Sequence, residues 1–439
     1  MKKLWTAAAG VAAIGMLVAG CSDPGGGEPG NANTGAGAWP AQTANLSGTT
    51  LTIWAAQNSN TIPNQVVTAF EKATGAQIKV VTIPDPYEQG VQTKVATGDK
   101  PDLAFWQPTP SMLAALNAKT NLQPLTGAPW LTAFQPKLRD ITGTLGDTRY
   151  AALVTSPAVE GVYYNKEVFA KAGITKTPAN WTEFLQVARK IKAAGQVPFF
   201  EMGGDRWATQ WWVQVQLADA ARNGLWTRVN ANKEKFTDPT ILGAIKGYKA
   251  LIDEGLFNSD IATATFADQG NALLSGKAAM VVQVNSFFGE LQATAKTPEL
   301  NQKIGFFPIS PTGNVATVIP DQSNALVAFT TGGAKREAAA RQLLAFWLGD
   351  DYTKFIADRQ TISLKTDVPS PAGVPQALID VHASLTDSIG SMQALAVANP
   401  DLYLYLADMI QGTTTPEKVA QQTQDQFAQL ASAQGIKGF

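Results

Sequence analysis

The sequence predicts an α/β fold with covered sheets, and two observations support this prediction. Short apolar segments typical of buried strands alternate along the chain with segments whose apolar residues recur at helical spacing. Such alternation is typical of sheets that carry helices on their faces. Hydrophobic residues make up 45% of the 439 residues and charged residues 16%, which is a globular composition with ample material for a buried core.

The strands are predicted from short apolar runs that end at polar or turn-forming residues. The segment LTIW opens the series and QIKVVTI follows after one helix, so the folded part begins with a strand–helix–strand unit. Together the predicted strands cover 51–54, 77–83, 103–106, the segment GVYY up to Tyr164, 278–284, 303–309 and 324–330.

Capping residues and glycines mark the ends of the helices between these strands. In the first helix, Val66, Val67 and Phe70 share one face, and Gly75 is the predicted stop. Further helix signals are Thr109 followed by Pro110, Asn165 as a cap with Gly173 as a stop, Asn180 and Glu183 spaced as a capping box, and a long amphipathic helix over 335–357.

Two scarce residue types restrict the chemistry. Cys21 is the only cysteine, which excludes an internal disulfide, a cysteine-rich zinc site and a redox pair. His382 is the only histidine, and its segment IDVHASL predicts a residue on a helix face rather than part of a catalytic triad or a metal site. The net charge is −1 with scattered basic residues, so no nucleic-acid partner is expected. We therefore expect neither a metal nor another cofactor.

The amino terminus has the layout of a secretory signal. Lys2 and Lys3 precede an apolar run over 7–20, which is shorter than the roughly 20 apolar residues that cross a bilayer. An uncleaved anchor helix is the alternative interpretation. The following segment, 22–48, is dense in glycine, proline, asparagine and alanine without apolar periodicity, which favours a flexible tether.

The residues Val18, Ala19, Gly20 and Cys21 resemble the lipobox of bacterial lipoproteins. The resemblance implies a signal peptide over 1–20 and a lipid-modified tether over 21–48, with the lipid attached to Cys21. Such a protein would be anchored at the outer face of the cytoplasmic membrane.

The ordered series of segments in the body resembles the family 1 extracellular solute-binding proteins of carbohydrate ABC importers. The segments that carry the resemblance are LTIW, VVTAFEKATGAQIKVV, VATGDKPDLAFW, GVYYNKEVFAKAGI, NWTEF, LLSGKAAMVV, IGFFPI and REAAARQLLAFWL. The resemblance implies a type II periplasmic-binding-protein-like fold with a ligand cleft between two lobes that close like a hinge. Lobe one would comprise 49–157 and 311–360, and lobe two 158–310 and 361–439.

Strand ends supply one set of candidate ligand residues, because ligands of open α/β sheets gather beyond the carboxyl ends of strands. Gln57 and Asn58 follow the first strand, and Trp106 and Gln107 follow LAF. The family resemblance also places an aromatic contact at Trp106, whose ring could stack on a pyranose. A tryptophan that simply belongs to the core is the alternative.

The resemblance and the loop composition add further candidates. Glu160 stands near a ligand-bonding glutamate of the family, although its spacing to Tyr-Asn-Lys is two residues shorter, and the loop GGDRWATQWW joins polar groups to tryptophans. Phe287 and Phe288 stand where the family carries a stacking tryptophan. The complete second set is Glu160, Asp205, Arg206, Trp207, Trp211, Phe287, Phe288, Asp321 and Ser323. Trp211 could instead anchor its helix, and Asp321 could be an ordinary turn residue.

These expectations point to a monomeric receptor without enzymatic activity, which binds a neutral sugar and delivers it to the permease of an ABC importer. A receptor for another polar solute, such as a polyol or a glycerophosphodiester, is one alternative. A surface glycosidase using carboxylates such as Glu160 and Asp205 is the other.

Overall fold

The computed structural model describes residues 39–56, 62–84, 87–141, 143–320 and 325–439. Within these ranges the strands form two large sheets and one short hairpin. The strands are β1 Thr50–Ala56, β2 Gln77–Ile83, β3 Leu103–Phe105, β4 Thr144–Leu145, β5 Thr148–Arg149, β6 Ala151–Leu153, β7 Ala158–Asn165, β8 Val197–Phe199, β9 Ala278–Gln283, β10 Ile304–Phe307, β11 Ala316–Ile319, β12 Ala325–Ala328 and β13 Ser388–Gly390.

The first sheet has the strand order β2-β1-β3-β12-β6. Strand β1 is parallel to both β2 and β3, whereas β12 is antiparallel to β3 and β6. Because β1 and β3 are parallel neighbours, their carboxyl ends meet at one edge of the sheet. The sheet is the centre of lobe one.

The second sheet has the order β13-β11-β7-β9-β8, and β10 also pairs with β7. Strand β7 is central: its first half pairs with β11, its second half with β10, and its other edge with β9, all antiparallel. Residues 316–319, which the predicted boundaries assign to lobe one, thus lie in the second sheet as β11. The exact lobe boundaries stay a prediction.

Helices cover both sheets. Those before residue 260 are α1 Asn64–Thr74, α2 Tyr87–Ala96, α3 Pro110–Ala115, α4 Ala118–Asn121, α5 Pro136–Ile141, α6 Lys166–Lys171, α7 Trp181–Ala193, α8 Trp211–Arg222, α9 Leu225–Asn230 and α10 Pro239–Asp253. Those after it are α11 Phe266–Ser275, α12 Phe288–Thr294, α13 Thr297–Lys303, α14 Ala334–Leu348, α15 Tyr352–Arg359, α16 Gln376–Ser384, α17 Met392–Leu395, α18 Leu402–Ile410 and α19 Pro416–Ala433. Short 3-10 helices occupy Trp207–Gln210, Asn285–Phe287 and Leu385–Asp387.

The predicted start and stop signals are confirmed where they are local. The Thr109 hydroxyl accepts a bond from Met112 N, and the Asn165 side chain accepts from Glu167 N and Val168 N. Gly75 ends α1 in the left-handed conformation, with φ of 74°. The strands predicted from apolar runs are also present: the strand over 77–83 has the predicted bounds, and the ends of the others lie within three residues of their predicted positions.

The long helix predicted over 335–357 is wrong, because two helices, α14 and α15, occupy this region. Gly349 interrupts them with φ of −106° and ψ of −109°, which is outside the helical range. A Cβ atom at this position would come within 2.5 Å of the Gln42 side chain, so the break depends on close approach of a distant segment.

Part of the predicted tether belongs to the folded body. Trp39 packs edge-on against Trp130, with ring centroids 4.8 Å apart. The Gln342 side chain donates to Ala44 O at 2.8 Å, and Leu46 N donates to Thr74 O at 2.7 Å. Residues 39–48 are therefore attached to lobe one. Cys21 and the predicted signal peptide lie outside the described residues.

Candidate functional site

The loop GGDRW, residues 203–207, connects β8 to the start of the 207–210 helix in lobe two. Gly203 N donates to Ile261 O at 2.9 Å and Gly204 N to Ala264 O at 3.0 Å. A Cβ atom would come within 2.4 Å of Ile261 O at the first glycine and 2.5 Å of Thr263 O at the second. Only glycines permit this approach, so the pair fixes where the rest of the loop projects.

Arg206 is the central residue of a γ-turn in this loop. Trp207 N donates to Asp205 O at 2.7 Å, and Arg206 has φ of 64° and ψ of −50°. A γ-turn with positive φ is rare and strained for a residue with a side chain. Asp205 holds the turn through its carboxylate, which accepts from Phe266 N at 2.6 Å. The half-exposed guanidinium of Arg206 lies 3.8 Å from Asp408.

A continuous series of aromatic rings runs from this loop into the core. Trp207 contacts Trp211 at 6.1 Å and Phe266 at 5.2 Å between ring centroids. Phe266 contacts Phe287 at 5.8 Å, and Phe287 contacts Tyr163 on β7 at 5.5 Å. Trp207 at the outer end of the series is partly exposed, so its ring is available for stacking on a ligand.

The described candidates of lobe one, Trp106 and Gln107, follow the carboxyl end of β3. The Tyr87 hydroxyl donates to Phe105 O at 2.6 Å, which ties the start of α2 to the end of β3. Burial, and secondarily the charge of Glu88, raises the pKa of Tyr87, which keeps this donor protonated. Trp106 is fully buried and its indole donates to Met112 O at 2.9 Å, whereas the half-buried Gln107 donates to Glu88 at 3.5 Å.

Tyr403 on α18 is a candidate that sequence reasoning missed. Its carbonyl oxygen accepts from the Thr209 hydroxyl at 2.9 Å, so it lies beside the GGDRW loop. Burial and the charges of Asp401 and Glu88 raise its pKa. Because Glu88 belongs to lobe one, Tyr403 marks a place where the two lobes face each other. Nothing in the segment LYLYLADMI distinguishes this tyrosine from its neighbours, since the distinction depends on which residue meets the other lobe.

Glu160 lies on β7 with no exposed surface, and neither carboxyl oxygen has a hydrogen-bond partner among the described residues. It is directly opposite Thr317 of β11, whose hydroxyl also lacks a partner within those residues. Burial raises the pKa of Glu160 well above its ordinary value, because an ionised carboxylate would be desolvated there. The group is therefore held in its neutral form.

The structure brings four predicted site residues together in one place. Asp205, Arg206, Trp207 and Trp211 form the loop and the first turns beyond it, while Gln107 lies on lobe one after β3. Five predicted residues are buried, namely Trp106, Glu160, Trp211, Phe287 and Phe288. Their contact with a ligand remains a prediction, and it requires a conformation that exposes them. Gln57, Asn58, Asp321 and Ser323 lie outside the described residues.

The described residues contain no group of three or more His, Cys, Asp or Glu side chains that could hold a metal ion. Across the same ranges, no helix has both the length and the apolar character needed to cross a bilayer. His382 lies on α16, and its ring contacts the Gln135 side chain. Burial lowers its pKa, which favours a neutral imidazole.

The sequence and the fold are those of a known class of receptors. Residues 23–354 match the family described as bacterial extracellular solute-binding protein, and the chain belongs to this family. The fold is accordingly a type II binding-protein fold with two α/β lobes. A solved chitin oligosaccharide binding protein shares it, with a TM-score of 0.71 and 20% identity over 87% of this chain and 99% of that one.

Curated relatives are distant in sequence. The diacetylchitobiose binding protein DasA of Streptomyces coelicolor is 24% identical over 97% of this chain and 98% of its own length. A binding protein of Brucella abortus is 28% identical over 196 residues. This match covers 44% of this chain and 45% of that protein, so the similarity spans about half the length of that relative. The members of this family are binding proteins rather than enzymes.

Proposed function

We propose that the protein is a lipid-anchored extracytoplasmic receptor that binds a neutral sugar or oligosaccharide by lobe closure and delivers it to an ABC permease. The match to DasA over nearly the whole chain carries this proposal, because that relative is named for binding a chitin-derived disaccharide. The chitin oligosaccharide binding protein with the same fold adds support.

The GGDRW loop suits such a ligand chemically. Trp207 offers a partly exposed aromatic face, and Asp205 and Arg206 beside it offer an acceptor and donors. An aromatic face can stack on the apolar face of a pyranose, and neighbouring polar groups can bond its hydroxyls. Gln107 and Tyr403 would add donors from the two sides of the cleft.

A ligand screen tests the proposal. A solute that binds only the folded state raises Tm, so the protein should show a specific rise with one class of sugar, including chitin-derived oligosaccharides. Polyols, glycerophosphodiesters and phosphorylated sugars belong in the same screen, since a response to one of these alone would replace the sugar proposal. Mass spectrometry of the recovered hit should show an unchanged molecule; cleavage products would favour the glycosidase alternative.

Two variants test the site. Trp207→Ala should weaken binding of the hit by about tenfold, which corresponds to the order of one aromatic stacking contact. Trp39→Ala, a partly buried tryptophan of lobe one away from the loop, serves as the control and should leave the affinity unchanged. Trp106→Ala tests the buried candidate on lobe one. Equal affinities for Trp207→Ala and the parent protein would remove this loop from the site.

The lipid anchor is a separate part of the proposal. Cys21 would carry the lipid, and the segment up to Trp39 would connect it to lobe one. The protein made in bacterial cells should partition into the detergent phase, and Cys21→Ser should remain in the aqueous phase. Recovery of both forms in the aqueous phase would overturn the anchor without affecting the sugar site.

A further inference from the structure

Glu201 lies between β8 and the GGDRW loop and is completely buried. Aromatic rings surround it: Trp212 stacks on Tyr248 with ring centroids 5.8 Å apart and an interplanar angle of 9°, and Phe257 packs against both rings. Its carboxyl accepts two bonds, from the Tyr248 hydroxyl at 3.1 Å and from Met202 N at 2.8 Å. A carboxylate in this apolar surrounding has few donors to replace water.

The main chain on both sides of Glu201 is firmly held. Glu201 N donates to the Asn258 side chain at 2.8 Å, and the Asn258 amide donates back to Glu201 O at 3.2 Å. Beyond it, the two glycines of the GGDRW loop bond to the segment 261–264. The carboxyl therefore sits at the base of the loop, two residues before its first glycine, and is bonded to the peptide that leads into it.

We infer that Glu201 is a positioning residue whose protonation state controls the order of the GGDRW loop. With the proton in place, the neutral carboxyl fits its apolar surrounding and the loop keeps its strained turn at Arg206. When the proton is lost to solvent, the buried charge needs water or further donors. Because Met202 N is bonded to this carboxyl, rehydration of the carboxylate displaces the Met202 peptide and weakens the bonds that hold 203–207.

The titration range of Glu201 agrees with this geometry. Burial raises its pKa to about 7, while Met202 N, the Tyr248 hydroxyl and the nearby indole N–H of Trp212 lower it by a smaller amount. Tyr248 on α10 is the titratable group in contact, and Asp260 lies behind Asn258, to which it is bonded at 2.8 Å. From α8 the carboxyl meets the uncharged Trp212. Among the described residues, no lysine, arginine or histidine bonds to Glu201.

Hydrogen exchange of the free full-length protein tests the inference without any ligand. With a pKa near 7, Glu201 is ionised in about one tenth of molecules at pH 6 and about nine tenths at pH 8. After correction for the intrinsic rate, the amides of 202–207 should exchange about threefold faster at pH 8 than at pH 6. Glu201→Gln should abolish this difference, and Tyr248→Phe should move its midpoint to higher pH because a donor to the carboxylate is lost.

Glu254→Gln provides the matched control, since Glu254 caps the same helix as Tyr248 but lies at the surface bonded to Arg189. It should leave the pH response unchanged. The same response in Glu201→Gln and the parent protein, or an unmoved midpoint in Tyr248→Phe, would overturn the inference. Near-ultraviolet circular dichroism establishes that each variant is folded.

The consequence for binding rests on the proposed function. The affinity for diacetylchitobiose, or for another hit of the screen, should fall between pH 6 and pH 8 in the parent protein but not in Glu201→Gln. A loop that responds to pH in a protein that binds no sugar would leave this inference standing and overturn the proposed function alone.

Discussion

Asp102 in lobe one and Glu160 and Glu201 in lobe two are all buried carboxyl groups, yet their surroundings differ. Asp102 accepts two bonds from the Arg336 guanidinium, at 3.0 and 2.7 Å, and a third from Thr52 N at 2.7 Å. Glu201 has two uncharged donors, and Glu160 has none among the described residues.

The difference shows two ways of accommodating a buried acid. In lobe one, the guanidinium of Arg336 and the backbone donor Thr52 N replace water around the buried carboxyl of Asp102, and the ion pair fixes α14 to the first sheet. Without a cation, Glu160 and Glu201 have raised pKa values and are neutral over more of the pH range. We therefore expect the pH sensitivity of stability to arise mainly in lobe two, at the central strand and beneath the GGDRW loop.

The largest expected effect concerns Glu201. Its folded-state pKa of about 7 exceeds the ordinary 4.5, so its contribution to stability is complete below pH 4.5 and is lost as pH rises through 7. The free energy of unfolding should fall by about 3 kcal/mol over this window. Urea unfolding at pH 4.5, 6 and 8 measures this fall in the free energy of unfolding, and in Glu201→Gln the fall should be smaller by about 3 kcal/mol. The same pH dependence in the two proteins would contradict the role of Glu201.

Removal of the cation from Asp102 should have the next largest effect. Arg336→Met should lower the free energy of unfolding at pH 7 by about 2–3 kcal/mol, less than for a fully buried pair because the Arg336 side chain is half-exposed. Arg189→Met, which breaks the surface pair with Glu254, should lower it by less than about 1 kcal/mol. Equal losses in the two variants would show that burial of Asp102 is not decisive.

Replacement of Glu160 should raise the free energy of unfolding, whereas removal of the cation from Asp102 should lower it. Glu160→Met removes a buried polar group that lacks partners among the described residues, and it should raise the free energy of unfolding at pH 8 by about 2 kcal/mol. Glu160→Gln should gain less, because its amide still needs partners. If Glu160 bonds a ligand hydroxyl, Glu160→Met should also lose affinity for the hit of the screen. A loss of stability in Glu160→Met would contradict the contrast between Asp102, which has a cation, and Glu160, which has no partner among the described residues.

The smallest expected effect concerns the strained turn above Glu201. Arg206→Gly should raise the free energy of unfolding by about 1 kcal/mol, because glycine adopts positive φ without a Cβ clash. Arg206→Ala keeps the clash and should bring no such gain. Thermal unfolding of both variants at pH 6 measures the difference, and an equal gain in the alanine variant would contradict the assignment of the strain to the backbone turn.

Local signals in the sequence predicted much of the fold but less of the site. Caps such as Thr109 and Asn165 act on residues two or three positions away, so they can be predicted from the chain itself. The GGDRW loop was a candidate from its composition. The burial of Phe287 and the position of Tyr403 were not predicted, because they depend on contacts with residues more than 100 positions away, such as Tyr163 and Thr209.

Local sequence patterns account for the alternation of strands and helices, for the glycines and caps that end them, and for the resemblance to a receptor family. Tertiary contacts determine which groups are exposed and raise the pKa values of Glu160 and Glu201. Gln42 bonds to Gln342 of α14, 300 positions away along the chain, and lies beside the break that follows Leu348. Arg336 bonds to Asp102, which is 234 positions away. Hydrogen bonds within a turn or helix are local in sequence, whereas burial and pKa depend on what the folded chain brings to each group from every side.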